Sequence, residues 1–253
     1  MVTDYKLKGK NAIITGASSG IGRATALRLA QEGSNVFMVA RRQELLKELK
    51  KEIASLGVKV EYAAGDVTNE GFAREVVMRA HEIFGFLDIL VLCAGDAFIK
   101  SFDLTSISDF RSLMEVNSFG VINFCKEVVK KMNRGGSIIL ITSPAGIHGA
   151  RGMTAYALSK GGIVAFGKSL ALELAPRKIR VNIISPGFVK TEITDKLYAK
   201  LTEEQRKKIY EAYPLGIGSV KDVANTINFL VSDESSWITG IVLPVDGGLT
   251  TGS

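Results

Sequence analysis

Thr15-Gly16-Ala17-Ser18-Ser19-Gly20-Ile21-Gly22 stands between an apolar run, Asn11–Thr15 (NAIIT), and a segment, 20–33, that reads as a helix closed by glycine. Where a strand turns through glycines into a helix, the backbone can approach a ligand closely. The helix start adds unpaired N–H groups and the positive end of the helix dipole. These are the elements of a pyrophosphate site in the first turn of a dinucleotide-binding fold. The spacing is G-x-x-x-G-x-G in place of G-x-G-x-x-G. A glycine-rich turn that merely packs tightly is the plainer reading.

Outward from this turn, short apolar runs alternate with amphipathic segments. Further strands are predicted at Asn35–Ala40, 58–63, 88–92, 137–142, 179–184 and 241–245. Helices are predicted over 43–56, 69–84, most of 107–132, 154–175 and Val220–Val231. Apolar runs without polar alternation are what strands look like when helices cover both faces of a sheet. Repeated strand–helix alternation implies parallel strands joined by right-handed crossovers. The fold class is therefore α/β, a doubly wound parallel sheet (Rossmann fold). No linker or composition shift divides the 253 residues, so the expectation is one domain over 1–253.

A ribose-binding carboxylate is expected about twenty residues beyond the glycines, at the end of the second strand. That place holds Ala40, followed by Arg41 and Arg42. Without a carboxylate there is no repulsion of a 2′-phosphate, and guanidinium groups bind phosphate directly. NADP(H) is favoured over NAD(H).

Tyr156 and Lys160 stand one helical turn apart, with Ser143 upstream at the end of a β-run. A tyrosine has an ordinary pKa of about 10, and an ammonium on the same helix face stabilises its phenolate. A nearby hydroxyl can hold a carbonyl oxygen while the tyrosine exchanges a proton with it.

Composition excludes other classes. Hydrophobic content of 46% suffices for a continuous core, and no stretch is apolar for long enough to span a membrane. The N-terminal residues show no leader pattern, so a cytoplasmic protein is expected. Net charge is +6, but no basic tract is interleaved with aromatics, which speaks against nucleic acid. Cys93 and Cys125 lie in apolar runs and read as buried small hydrophobes. His81 reads as an exposed helix residue and His148 as a loop residue near Ser143. No metal-ligand cluster is present in the sequence pattern.

The chain resembles the short-chain dehydrogenase/reductase superfamily over essentially its whole length. The resemblance is carried by TGASSGIG at 15–22, Asp66-Val67, Val91-Leu92-Cys93-Ala94-Gly95, Asn117-Ser118-Phe119-Gly120, Ser143, Tyr156-Ala157-Leu158-Ser159-Lys160, Pro186-Gly187-Phe188-Val189-Lys190-Thr191 and Val245-Asp246-Gly247-Gly248. It implies hydride transfer between a nicotinamide and a carbonyl or alcohol carbon. Tyr156 would be the acid or base. Lys160 would bind the nicotinamide ribose and lower the Tyr156 pKa, Ser143 would hold the substrate oxygen, and Asn117 would position a water in a proton relay. Gly16, Ser18, Ser19, Gly20, Ile21 and Gly22 would bind the cofactor with Arg41, Arg42, Asp66 and Val67. Ala94, Gly95, Pro186, Gly187, Val189 and Thr191 would complete its site.

There are departures. Leu92-Cys93 replaces two asparagines that usually tie the central sheet together, and Ser19 stands where many NADP-using members carry a basic residue. Residues 213–224 look like a segment of 3-oxoacyl-acyl-carrier-protein reductases, without the arginine usual after PLG.

In the family, a segment such as 190–215 is a substrate lid. Here it mixes Leu197, Leu201, Ile209 and Tyr213 with Lys196, Lys200, Arg206, Lys207 and Lys208. It reads as an amphipathic helix pair over the pocket, or as a basic face for an acidic acyl carrier protein or coenzyme A thioester. Lys130, Lys131, Arg134, Arg177, Lys178 and Arg180 are further candidates for such a face. Sugar, steroid and small-ketone substrates stay open, as does an inactive cofactor-binding regulator. The resemblance also implies a homotetramer or homodimer, assembled through the C-terminal strand and the two long helices.

Overall fold

A computed structural model describes residues 6–199 and 201–251. The first five residues, about which the sequence predicts only the absence of a leader, and Lys200 lie outside the described residues. The apolar runs form seven strands: β1 (Asn11–Thr15), β2 (Asn35–Ala40), β3 (Val60–Ala64), β4 (Leu87–Leu92), β5 (Met132–Ile141), β6 (Arg180–Pro186) and β7 (Val242–Val245). All pair in parallel, in the order β3-β2-β1-β4-β5-β6-β7.

Successive side chains of a strand point to opposite faces, and both faces are covered. Ile13, Leu90, Ile138 and Leu140 enter one core, while Ala12, Ile14, Val91 and Ile139 enter the other. This is why the runs show no polar alternation. The first core is closed by α3 (Glu70–Phe84), α5 (Gly120–Lys131) and α7 (Thr154–Leu174). The second is closed by α1 (Gly20–Gln31), α2 (Gln43–Ala54) and α10 (Val220–Val231). In α2 the buried residues are Leu46, Leu49 and Ile53, one stripe of an otherwise charged helix. Strand order reverses between β1 and β4, and ligands of open α/β sheets bind beyond the strand ends at such a point.

The predicted 107–132 helix is not continuous. α4 (Ile107–Met114) gives way to a π-helical turn, Glu115–Phe119, before α5. The short α6 (Ala145–His148) follows β5. The segment after β6 holds α8 (Glu192–Tyr198) and α9 (Glu203–Glu211), a helix pair in which no residue is buried.

Four expectations about side chains change. Cys125 is buried, but Cys93 is only half-buried, because β4 ends at Leu92 and the thiol lies in the turn beyond the sheet. His81 is half-buried, its ring 5.1 Å from that of Phe86. Arg180 is buried and donates to the carbonyls of Leu230 and Ser232, holding the end of α10. Arg177 donates to Val129 and Met132 carbonyls, so neither arginine offers a free basic face. Among the described residues no helix is long and apolar enough to cross a membrane.

Candidate active site

The glycine turn is shaped by contact. Gly16 has φ +69°, and a Cβ there would fall 2.7 Å from the Ala94 nitrogen. At Gly22 a Cβ would fall 2.4 Å from the Gly16 carbonyl oxygen. The tight-packing reading is therefore true of these residues, and it leaves the ligand reading open. Ser19 caps α1 in extended conformation without a side-chain bond to the helix, and the first turn of α1 carries no acidic residue. The helix start is left electropositive.

Arg42 lies against this turn. Its Nε and Nη2 donate to Ser18 Oγ at 3.2 and 3.1 Å, and Nη2 donates to Ser19 Oγ at 2.5 Å. Its Nη1 meets a Glu192 carboxylate oxygen at 2.6 Å. Arg41 is exposed and makes no such contact. Of the two predicted phosphate ligands, the fold brings only Arg42 to the glycines. Asp66 is exposed and accepts from the Thr68 N–H and hydroxyl, while buried Val67 gives its carbonyl to Asn123.

Ser143, Tyr156 and Lys160 converge at the C-terminal end of β5. The Ser143 hydroxyl stands beside the Tyr156 phenol and accepts from the Ala145 N–H at 3.3 Å. Lys160 is 5% exposed and fixed three ways: its ammonium donates to the Ile141 carbonyl at 3.0 Å, its carbonyl accepts from Thr142 Oγ1 at 2.8 Å, and α6 presses on it. That approach is so close that a Cβ at Gly146 would stand 2.7 Å from the Lys160 carbonyl carbon. Burial lowers the Lys160 pKa to about 8. Burial pushes the half-buried Tyr156 phenol up, and the Ser143 hydroxyl beside it opposes this. The expected lowering of Tyr156 by Lys160 is not what the protein alone gives. The Lys160 Nζ lies 5.9 Å from the tyrosine ring centre and is engaged by the Ile141 carbonyl of the sheet.

Asn117 is fully buried in the π-helical turn. Its Oδ1 accepts from the Asp96 N–H at 2.8 Å, and its Nδ2 donates to the Asp96 carbonyl at 2.9 Å and to Ser159 Oγ at 3.0 Å. Ser159 donates onward to the Tyr156 carbonyl. A Cβ at Gly95 would lie 3.0 Å from Asn117 Oδ1 and 3.4 Å from Lys160 Nζ, so only glycine leaves that passage open. An amide oxygen has two lone pairs, and one remains for the relay water that the resemblance implies. Ala94 is held by its N–H donating to Thr15 Oγ1 at 3.2 Å.

A cavity of about 540 Å³ opens over this group, reached by Ile21, Cys93, Gly95, Ser143, Tyr156 and Lys160 on one side. Pro186, Gly187, Val189 and Thr191 line the other side. Apolar side chains of the helix pair, Ile193, Leu197 and Ile209, with Leu201 between the helices, form its outer wall, and Arg151 stands beside it. Thr191 caps α8 and rests on the glycine turn, with its Cγ2 3.2 Å from where a Gly20 Cβ would be. The exposed His148 is not part of this lining. The glycine turn, the electropositive helix start and the Arg42 fork suit a dinucleotide that reaches from the glycines to Lys160.

Residues 16–250 match the family described as Enoyl-(Acyl carrier protein) reductase. The chain is 42% identical over 247 residues to a 3-oxoacyl-acyl-carrier-protein reductase of Thermotoga maritima, covering 96% of this chain and 99% of that one. It is 38% identical to the enzyme of the same name from Aquifex aeolicus, covering 97% and 99%. A solved short-chain dehydrogenase/reductase mutant from Serratia marcescens superposes with a TM-score of 0.90 at 31% identity, covering 97% and 99%. The chain belongs to the short-chain dehydrogenase/reductase family. It is an oxidoreductase.

Three features of this short-chain dehydrogenase/reductase were missed in the sequence. Glu192 faces Arg42 across 150 positions, a pairing no local pattern signals. Ser159 links Asn117 to Tyr156; its place beside Lys160 was visible, but its partners were not. Tyr213, read as part of the amphipathic helix pair, accepts a hydrogen bond from the Phe188 N–H at 2.8 Å and shapes the loop after β6. The Cys93 thiol lines the cavity beside Lys160, and burial pushes it up to about 12, so it stays a neutral thiol.

Proposed function

We propose that this chain is an NADP(H)-dependent reductase of 3-oxoacyl thioesters. The observation that carries this reading is the convergence of Ser143, Tyr156 and Lys160 on a cavity whose outer wall is apolar. A bound nicotinamide supplies the hydride. Ser143 donates a hydrogen bond to the substrate carbonyl oxygen as negative charge develops there. Tyr156, protonated at neutral pH as an ordinary phenol of pKa about 10 is and held more firmly so by burial, gives its proton to that oxygen. Lys160 is chiefly an ammonium at neutral pH, able to hold ribose hydroxyls and to favour the departing phenolate charge. Asn117 holds the relay water and braces the first turn of α7 through Ser159. Arg42, with Ser18 and Ser19, receives the 2′-phosphate.

The acyl chain lies along Ile193, Leu197, Leu201 and Ile209, so that α8 and α9 act as the lid. Arg151 is exposed beside the cavity and makes no ion pair among the described residues. It suits an anionic handle such as the phosphate of a phosphopantetheine arm, whether carried on an acyl carrier protein or on coenzyme A. In α9, Lys207 and Lys208 are paired with Glu211 and Glu204, and Arg206 lies over Tyr198, which leaves less free basic surface than the sequence alone suggests. A homotetramer suits the exposed apolar residues: Leu172 on α7 is 79% exposed and Trp237, before β7, is 98% exposed.

The test is oxidation of NADPH by the purified protein against a panel of 3-oxoacyl thioesters, sugars and cyclic ketones. Turnover is expected with the thioesters. Turnover confined to sugars or ketones overturns the substrate class, and NADPH binding without any turnover favours the regulator.

A further inference from the structure

Arg42 divides its guanidinium between two elements. Nε and Nη2 are held by Ser18 and Ser19 of the glycine turn, and Nη1 by Glu192, the first residue of α8. Among the described residues, Arg42–Glu192 is the only ion pair that joins α8 or α9 to the rest of the chain; the other ion pairs of these helices lie within α9. Neither helix has a buried residue. The next residue, Ile193, already lines the cavity, as does Leu197 one turn on.

We propose that Glu192 occupies the seat on Arg42 that a 2′-phosphate requires, so that NADP(H) displaces Glu192 and releases the first turn of α8. NAD(H), which carries a hydroxyl at that position, leaves the pair intact. The inference rests on the reading of Arg42 as a phosphate ligand and adds the group that competes for it.

Both partners are about half exposed, 44% for Arg42 and 51% for Glu192. Such pairs are weakly held, and a phosphate group of nearly two negative charges outcompetes one carboxylate. The displacement does not need Arg42 to move, because the serines keep the rest of the fork in place. A carboxylate left beside the phosphate is repelled, and this drives the root of α8 away from the glycine turn. Ile193 and Leu197 travel with it. The choice of nicotinamide cofactor is thereby linked to the shape of the substrate cavity.

The experiment is calorimetric titration of NADPH and NADH into the wild type and Glu192→Gln, together with hydrogen exchange of the α8 amides. Glu192→Gln is expected to bind NADPH about three- to tenfold tighter, with NADH changed less than about twofold. In the wild type, α8 amides should exchange faster with NADPH bound than with NADH bound, and Glu192→Gln should lose most of that difference. Unchanged or weaker NADPH binding by the variant overturns the shared seat, and equal α8 exchange with the two cofactors overturns the release. Wild-type affinities judge the NADP(H) reading separately. If NADH binds tighter yet the variant gains for NADPH, the competition stands and the cofactor preference falls.

Discussion

The two ends of the cleft are built differently. At the end proposed to carry the chemistry, Lys160 is held by contacts to its ammonium, its carbonyl and its backbone, and Asn117 is fully buried with both amide atoms bonded. At the end proposed to take the 2′-phosphate, Arg42 is partly exposed and holds a carboxylate from another element. Groups that move a proton need fixed geometry, because small misplacements cost large factors in rate. Groups that choose between ligands need partners that can be exchanged. On the proposed roles, the difference teaches that rigidity goes with the group that moves a proton and replaceability with the group that chooses a ligand.

The largest break in this contrast is expected from Tyr156→Phe. Turnover should fall by about 10² to 10⁴, while NADPH affinity measured by titration stays within about twofold. Near-wild-type turnover would remove Tyr156 from the reaction.

Lys160 sharpens the rigid side through pH. Its folded pKa of about 8 lies below the ordinary 10.5, so between those values the unfolded chain binds more protons. Stability should therefore rise as pH increases from about 8 to 10.5. At about 1.4 kcal/mol per pKa unit, the gain is at most about 3 kcal/mol. Comparison of denaturant unfolding for wild type and Lys160→Met across that window isolates the effect, and a pH-independent difference between the two would contradict it.

Asn117→Ala leaves the Asp96 N–H and carbonyl without this partner and removes one of the two bonds of the Ser159 hydroxyl, at a cost of about 1–3 kcal/mol. Urea unfolding measures this, and a loss below about 0.5 kcal/mol would show that the network is not a brace. The smallest effect is on the exchangeable side: Arg42→Ala should weaken NADPH binding by about tenfold, with NADH nearly unchanged. Equal losses for both cofactors would mean that Arg42 supports the turn rather than the 2′-phosphate.

Much of the fold was legible because both faces of the sheet are buried, which gives runs such as Ser137–Ile141 their unbroken apolar character. The helix ends that moved are set by capping, as at Asn69, whose side chain accepts from the Phe72 N–H at the start of α3. The π-helical turn was not legible, since Glu115–Phe119 carries no glycine or proline to mark it and is stabilised by the distant Asp96 and Ser159. Tyr156 and Lys160 share a face because they stand four apart on α7, whereas Ser143 lies in the loop after β5 and its place beside them was implied by the family resemblance. Glu192 could not be read, because its meeting with Arg42 depends on how the segment after β6 returns to β1. Arg41 and Arg42 were equal in sequence and are unequal in space, since only Arg42, as the cap of α2, turns toward the glycines.

The π-helical turn also sets a length constraint. It winds one residue more into the path between α4 and α5 than an α-helix would. Deleting one residue there would let α4 run into α5 as ordinary α-helix with α5 still in phase, so Val121, Phe124 and Val128 would stay on the sheet while the wide turn that presents Asn117 to Asp96 and Ser159 would be lost. The extra residue thus serves the placement of Asn117 rather than the packing of the helices on either side of it.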